Sequence, residues 1–297
     1  SAAGKEGSSL YLKKGEKITL RNLLYGLMLR SGNDAAVAIA EHIGGSVDGF
    51  VLLMNEKAQY LGMTNTHFAN PHGLDADNHY STARDMAKLT AYALRNEVFQ
   101  EIVATKSIKV PNPGEKWDRK WYNKNKMLQM YAGADGVKTG YTSKARRTLV
   151  SSATREDQQI VTVTLNAADD WNDSMALMDY GFQHYPLRTL VDEQDFIEDV
   201  VVRELAEQGL RVAPEHSFTY PLTEEEQSAI EKKVDIPGEL PQGLKEGISV
   251  GEVLITLDGK KIGSVPLITK GEHDDASSLL FERWVTLLSP LWSETAP

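Results

Sequence analysis

The chain has 297 residues, a formal charge of −10, 41% apolar and 25% charged residues, and no cysteine. Those proportions are ordinary for a soluble globular protein, and the length is ample for two domains with a buried core. Such an acidic chain excludes nucleic acid as the main partner, because phosphate binding needs a basic footprint, and the lack of cysteine excludes disulfides, thiolate metal sites and cysteine nucleophiles.

No run of about 18 apolar residues occurs, so no segment reads as a membrane span. Ser1-Ala2-Ala3-Gly4-Lys5 lacks the charged-then-apolar order of a signal peptide. That predicts either a signal already removed or a chain cut further in.

From Thr19 to about Arg30, Leu20, Leu23, Leu24, Leu27 and Met28 make the stripe of a core-facing helix. Ser31-Gly32-Asn33 interrupts it, and a second helix is predicted from Asp34 to Ile43, stopped by Gly44-Gly45. Ser46 reads as the N-cap of a third helix, with Val47, Phe50, Val51, Met54 and Leu61 inward and Gly62 at its end. Met63 to Tyr80, rich in Asn, Asp, Gly and Pro, reads as a long surface loop, and loops of that length are usually functional. A further helix is expected from about Thr82 to Leu94.

Strand patterns follow at Val137 to Thr142, Thr148 to Thr154 and Ile160 to Leu165, separated by short polar turns, which predicts an antiparallel meander. A helix from about Trp171 to Phe182 closes the unit. Helices, then strands, then a helix imply an α+β layering. Beyond Pro186, Phe196 to Val202, Phe218 to Tyr220, Val253 to Leu257 and Ile262 to Ile268 read as short strands, the last two joined by the hairpin pair Asp258-Gly259. The expected organisation is therefore residues 1–187, a small all-β domain over 188–272 and a tail over 273–297. In that tail, Ser277 to Trp292 has amphipathic helical spacing. It reads either as a helix packed on its own domain or as one lying in a membrane interface, the second weakened by a single basic residue.

Two short motifs carry chemistry. Ser31-Gly32-Asn33 sets a hydroxyl and a carboxamide at a helix junction, where both can face one cleft. Lys138-Thr139-Gly140 opens a strand, with Lys138 and Gly140 on one face and Thr139 on the other, and Gly140 leaves room for a substrate backbone. Taken alone, Ser31 reads as a helix cap and Lys138 as an exposed strand residue. Gly133 to Thr139 fails as a phosphate loop because Val137 separates Gly136 from Lys138. His67, His72, Asp75, Asp77 and His79 have neither helical nor hairpin metal spacing, so a loop scaffold bonded through His72 and Asp75 is the preferred reading. The stretch Lys116 to Lys126, with Trp117, Trp121 and Tyr122, reads in so acidic a chain as a solvated surface or a glycan-facing ledge.

With these motifs go Leu29-Arg30-Ser31-Gly32-Asn33-Asp34-Ala35-Ala36, His72-Gly73-Leu74-Asp75, Ser81-Thr82-Ala83-Arg84-Asp85-Met86-Ala87 and Asp135-Gly136-Val137-Lys138-Thr139-Gly140. Together they resemble the low-molecular-weight D-alanyl-D-alanine carboxypeptidases of the penicillin-binding family, over about residues 1–185 and more loosely beyond. Within that family the chain looks most similar to the sporulation-associated type of spore-forming bacteria. The resemblance implies a serine β-lactamase/transpeptidase-like catalytic domain and an enzyme outside the cytoplasmic membrane. Its partner is a peptidoglycan stem peptide ending in D-Ala-D-Ala, β-lactams are covalent inhibitors, and no cofactor or metal is involved.

The family's Ser-x-x-Lys motif is absent from the chain: no serine has lysine three residues on. In relatives that motif lies upstream of the segment resembling Ser1 to Lys14, so the expectation is a chain that begins too late to include it and is inactive alone. Acyl transfer through a serine ester is the implied chemistry. Carried over by motif, Ser31 would relay a proton, Asn33 would hold a substrate amide or the activating lysine, and Lys138 with the Thr139 hydroxyl would take the terminal carboxylate. The Tyr141 N–H would serve the oxyanion hole. Lys124, in Asn123-Lys124-Asn125-Lys126, would be a second carboxylate contact. The alternatives are a β-lactamase of the same fold, for which no Glu-x-x-Leu-Asn stretch is found, and a non-catalytic wall-binding module.

Overall fold

The computed structural model describes residues 1–197, 205, 210–238, 240–241 and 243–271, in two compact units, Ser1–Gln183 and His184–Pro297.

The first unit is α+β. Its leading helices are α1 (Leu20–Arg30), α2 (Asn33–Gly44) and α3 (Val47–Tyr60). Thr19 Oγ1 caps α1 by accepting from Asn22 N, and Ser46 Oγ caps α3 by accepting from Gly49 N; each satisfies an N–H that the helix itself leaves unbonded. Then come α4 (Ala83–Ala93), α5 (Glu97–Ala104), the strands β1 (Ser107–Val110) and β2 (Arg119–Tyr122), and α6 (Met127–Met130). An antiparallel sheet of β3 (Ala134–Thr142), β4 (Arg146–Arg155) and β5 (Gln158–Leu165), in that order, precedes α7 (Asp170–His184). The meander is therefore present, and β3 lies at its edge.

Strand alternation lets both faces of this sheet bury side chains. Val137 and Val150 pack with Leu94 and Val103 in one cluster, while Leu149 and Ala153 pack with Met127 and Met178 in another. A third cluster joins Leu10, Leu23, Tyr25, Leu29, Ala35, Ile39, Ile102, Val110 and Trp121.

Several expectations need correction. In α1, Leu20 is 41% exposed, whereas Tyr25 and Leu29 are buried; the helix is packed on more than one side, so no single stripe describes it. The inward set in α3 is only half-buried, and Ala58 is its one fully buried residue. Trp121 belongs to the core rather than to a surface ledge, because it alternates inward along β2 beside Ile108 and Val110. The helix α5 and the β1–β2 pair were not anticipated.

The second unit is β-rich. It contains β6 (Leu187–Val191), β7 (Leu210–Pro214), β8 (Phe218–Pro221), the short α8 (Glu224–Gln227), β9 (Ile230–Asp235), β10 (Ser249–Leu257) and β11 (Lys260–Gly271). One sheet runs β7-β11-β10-β9, and β6 pairs with β8. The hairpin at Asp258-Gly259 is present, both residues having positive φ (49° and 72°) as its turn demands. Of the strand expected over Phe196 to Val202, Phe196 and Ile197 are not in a strand, and the remainder lies outside the described residues. The helix expected over Ser277 to Trp292 also lies outside them.

Candidate active site

Ser31 ends α1 in the left-handed conformation, φ 59° and ψ 42°. For a residue with a Cβ that backbone costs about 1–2 kcal/mol. Gly32 follows in an extended conformation, and α2 starts at Asn33. This sharp reversal presents the Ser31 side chain at the junction and not along the surface of either helix.

Across that junction, Lys138 Nζ on β3 donates to Ser31 Oγ at 2.5 Å and to Thr139 O at 2.7 Å, joining residues 107 apart in the chain. Burial, with the nearby charge of Lys124 second, lowers the Lys138 pKa to about 8. Lys124 is itself held below the ordinary lysine range, first by burial and then by Arg30. Lys138 thus feels Lys124, and Lys124 feels Arg30, so three cations follow one another from the Ser31 hydroxyl outward. A cluster of like charges in a partly desolvated place is costly by itself and favours an anionic occupant.

The Asn123-Lys124-Asn125 segment is set by its two amides. Asn123 Nδ2 donates to Val103 O and Thr105 O, and Asn123 Oδ1 accepts from Asn125 N. Asn125 Oδ1 accepts from Met127 N at the start of α6. Lys124 N donates to Leu29 O two residues before Ser31, and Lys124 Nζ donates to Ser8 Oγ at 3.1 Å.

Asn33 is buried, and its Nδ2 donates to Glu6 O at 2.8 Å while its backbone N donates to Ser8 O. The carboxamide N–H is therefore engaged by the leading segment, which leaves the Oδ1 as the side chain's other group. Gly7, at φ 82°, lets that segment cross: a Cβ there would lie 2.7 Å from Asn33 Nδ2. Asp34, fully buried, anchors the same segment by accepting from Leu10 N at 2.9 Å, Leu12 N at 3.0 Å and Ser9 Oγ at 2.8 Å. Ser8 and Asp34 were not singled out in the sequence. An aspartate directly after a helix start was the available signal, but its partners lie more than twenty residues upstream.

On β3, Lys138 pairs with Val150 and Thr139 with Leu149, so the two side chains leave opposite faces of the sheet. Gly140 lies opposite Thr148, and a Cβ on it would come 2.4 Å from Thr148 Oγ1. A side chain there would therefore need the Thr148 hydroxyl to turn aside. Tyr141 follows and is 68% exposed.

The loop between α3 and α4 is bonded as a scaffold. His67 and Tyr80 exchange backbone hydrogen bonds, and His79 Nδ1 accepts from Ala69 N. Burial lowers the pKa of both His72 and His79. Asp75 leaves the loop to accept from Thr142 Oγ1 at 2.7 Å, Ser143 Oγ at 3.4 Å and Lys144 N at 3.3 Å, at the turn just after β3. Among the described residues, no three His, Cys, Asp or Glu are placed to hold a metal ion.

The profile of the D-alanyl-D-alanine carboxypeptidase peptidase family matches residues 1–169. The chain belongs to that family. Residues 185–275 match the C-terminal domain of penicillin-binding protein 5. Among curated relatives, D-alanyl-D-alanine carboxypeptidase DacF of Bacillus subtilis is 30% identical over 94% of this chain and 73% of its own length. DacC of Escherichia coli is 35% identical over 88% of the chain and 66% of its own length. The chain thus spans about two thirds to three quarters of such relatives. Of solved structures, penicillin-binding protein 5 of Haemophilus influenzae is similar with a TM-score of 0.66 and 29% identity, over 91% of this chain and 80% of the other. The Streptomyces K15 DD-transpeptidase is similar with a TM-score of 0.57 and 37% identity, over 60% and 72%.

Proposed function

We propose that the protein is a serine-type D-alanyl-D-alanine carboxypeptidase that removes the terminal D-alanine from peptidoglycan stem peptides through an acyl-enzyme, and that β-lactams acylate it. The observation that carries this reading is the 2.5 Å bond between Lys138 Nζ and Ser31 Oγ, with Lys124 close by and an edge strand beside it.

Each residue then has a part. The nucleophile comes from a Ser-x-x-Lys segment, which these 297 residues do not contain. Ser31, already bonded to Lys138, passes a proton between the activating lysine and the leaving amine. Lys138 and the Thr139 hydroxyl receive the free carboxylate of the last D-alanine, with Lys124 as a second cation. As an edge strand, β3 has backbone groups not bonded to β4. The Tyr141 N–H is one donor of the oxyanion hole, the other being that of the nucleophilic serine. Gly140, opposite Thr148, leaves room at this edge for the substrate backbone. Asn33 orients the junction through the leading segment and offers its remaining oxygen to the substrate or activating lysine.

In this reading residues 1–187 are the catalytic domain, 188–272 a β domain and 273–297 a tail. An interfacial helix over Ser277–Trp292 would bring the protein to the outer face of the cytoplasmic membrane. The sporulation-associated subtype rests on the sequence resemblance alone.

The test uses protein extended to include Ser-x-x-Lys. Such protein should release D-alanine from diacetyl-Lys-D-Ala-D-Ala and be labelled covalently by penicillin. The substitution Ser31→Ala should lower acylation by about 10²-fold or more, the usual contribution of a positioned proton-transfer group. The 297-residue chain alone should release nothing. Absence of D-alanine release from the extended protein would leave the non-catalytic wall-binding reading, and a penicillin adduct lasting only milliseconds would favour the β-lactamase.

A further inference from the structure

The β1–β2 hairpin has an outward face that the proposed chemistry does not use. Cross-strand pairing sets Ser107 opposite Tyr122, Ile108 opposite Trp121, Lys109 opposite Lys120 and Val110 opposite Arg119. Val110 and Trp121 are buried, so Lys109, Lys120 and Tyr122 point outward. Two lysines directly opposed on antiparallel strands repel one another. Neither is in an ion pair among the described residues, whereas Arg119, on the inward side, pairs with Glu16.

The charge is concentrated, not incidental. Residues 106–126 hold seven basic and two acidic side chains in a chain whose formal charge is −10. One of the two acids, Glu115, is engaged by Lys13. Exposed aromatic planes lie among the cations: Tyr122 is 54% exposed with Lys120 Nζ 4.8 Å from its ring centroid, and Trp117 is 65% exposed. Arg30 donates to Tyr122 O, and Lys124 follows two residues later, so the face continues into the cations around Ser31.

We propose that this face is a docking ledge for a stretch of acidic glycopeptide, namely the peptidoglycan strand whose stem peptide enters the cleft. The inference rests on the carboxypeptidase reading and adds the polymer to it. Flat aromatic rings accept the C–H faces of sugars, and unpaired lysines beside them accept the carboxylates carried on the strand. An apolar partner would have to desolvate Lys109 and Lys120 without compensation. A strand bearing carboxylates relieves their repulsion instead.

The experiment compares extended protein with its Lys109→Glu/Lys120→Glu variant on two substrates. Release of D-alanine from diacetyl-Lys-D-Ala-D-Ala should be unchanged. Release from insoluble peptidoglycan should fall about ten-fold at low salt, and the difference should shrink in about 0.5 M salt, where screening is short-ranged. Equal effects on both substrates, or on neither, overturn the ledge. If the charge-reversed variant fails to fold, Lys109→Gln/Lys120→Gln removes the repelling pair without adding charge and should show the same substrate split. Should the extended protein lack activity on the small peptide, the carboxypeptidase reading fails. The ledge is then judged by co-sedimentation with insoluble peptidoglycan: loss in the variant supports it, and no change overturns it. Binding of poly-glutamate as tight as that of peptidoglycan, and abolished by the same substitutions, overturns the glycan as the occupant.

Discussion

Ser31 carries two opposed demands. Its left-handed backbone favours glycine, while its hydroxyl is the acceptor for Lys138. Both Ser31→Gly and Ser31→Ala remove that acceptor, so their difference isolates the backbone. The glycine variant should be the more stable by about 1 kcal/mol, read as a higher Tm, and both should be catalytically impaired. Equal Tm values would mean that the conformation at Ser31 costs nothing. Lys138 supplies a pH signature. With its pKa lowered to about 8 from an ordinary 10.5, it loses its proton in the folded protein before it does so in the unfolded chain. Stability should therefore rise between about pH 8 and 10.5, and below pH 8 the burial penalty on the cation is complete. Activity should move the other way. Binding of a carboxylate needs the cation, so kcat/KM for a D-Ala-D-Ala peptide should fall as pH passes about 8. A profile flat to pH 10 would remove Lys138 from carboxylate recognition.

Among the elements, the β3–β4 hairpin is tied to the long loop by one side chain. The hydroxyl of Thr142 holds the Asp75 carboxyl below the usual aspartate range, with Lys144 N and Ser143 contributing less. The lowered pKa means that this tie stays intact as pH falls until the depressed value is reached, and only then releases. Replacing Asp75 by alanine should speed amide hydrogen exchange at Lys144, whose N–H loses its acceptor, and leave exchange in the α7-facing strands unchanged. Unaltered exchange at Lys144 would mean that the loop does not hold the turn. This tie was only half-legible in the sequence. The prediction that Asp75 belongs to a scaffold followed from spacing that suits no metal, but its partners 67 to 69 residues away could not be read from any local pattern. The β1–β2 pair was missed for a related reason. Its second strand, Arg119-Lys120-Trp121-Tyr122, sits in a lysine-rich stretch that resembles a surface, until the cluster around Leu29 takes Trp121 into the interior.

At the scale of the molecule, each unit has its own core. Leu190, Val212, Leu222, Ile255, Val265 and Leu267 belong to one cluster of the second unit, and Leu29, Tyr25 and Trp121 to one of the first. Ile255 and Leu29 are both fully buried. Truncating either to alanine should cost about 2–5 kcal/mol, but in different calorimetric transitions. Ile255→Ala should leave D-alanine release intact in the extended protein. Leu29→Ala should impair it, because Leu29 O holds Lys124 N and Ser31 follows two residues later. A single transition shifted alike by both substitutions would show that the units unfold as one.

The sequence by itself determined the elements whose periodicity is local: α1, α2, α4, the three-strand meander, α7 and the hairpin turn at Asp258-Gly259. Through its motifs it also determined the family. These follow from spacing along one segment, which needs no knowledge of distant neighbours. Only the tertiary structure decided that Lys138 meets Ser31, that its pKa drops to about 8, that Asn33 turns its amide to Glu6, and which tryptophan of the basic stretch is core. Each of those depends on desolvation and contact by residues far away in the chain. Such neighbours exist only once the helices and the sheet have packed.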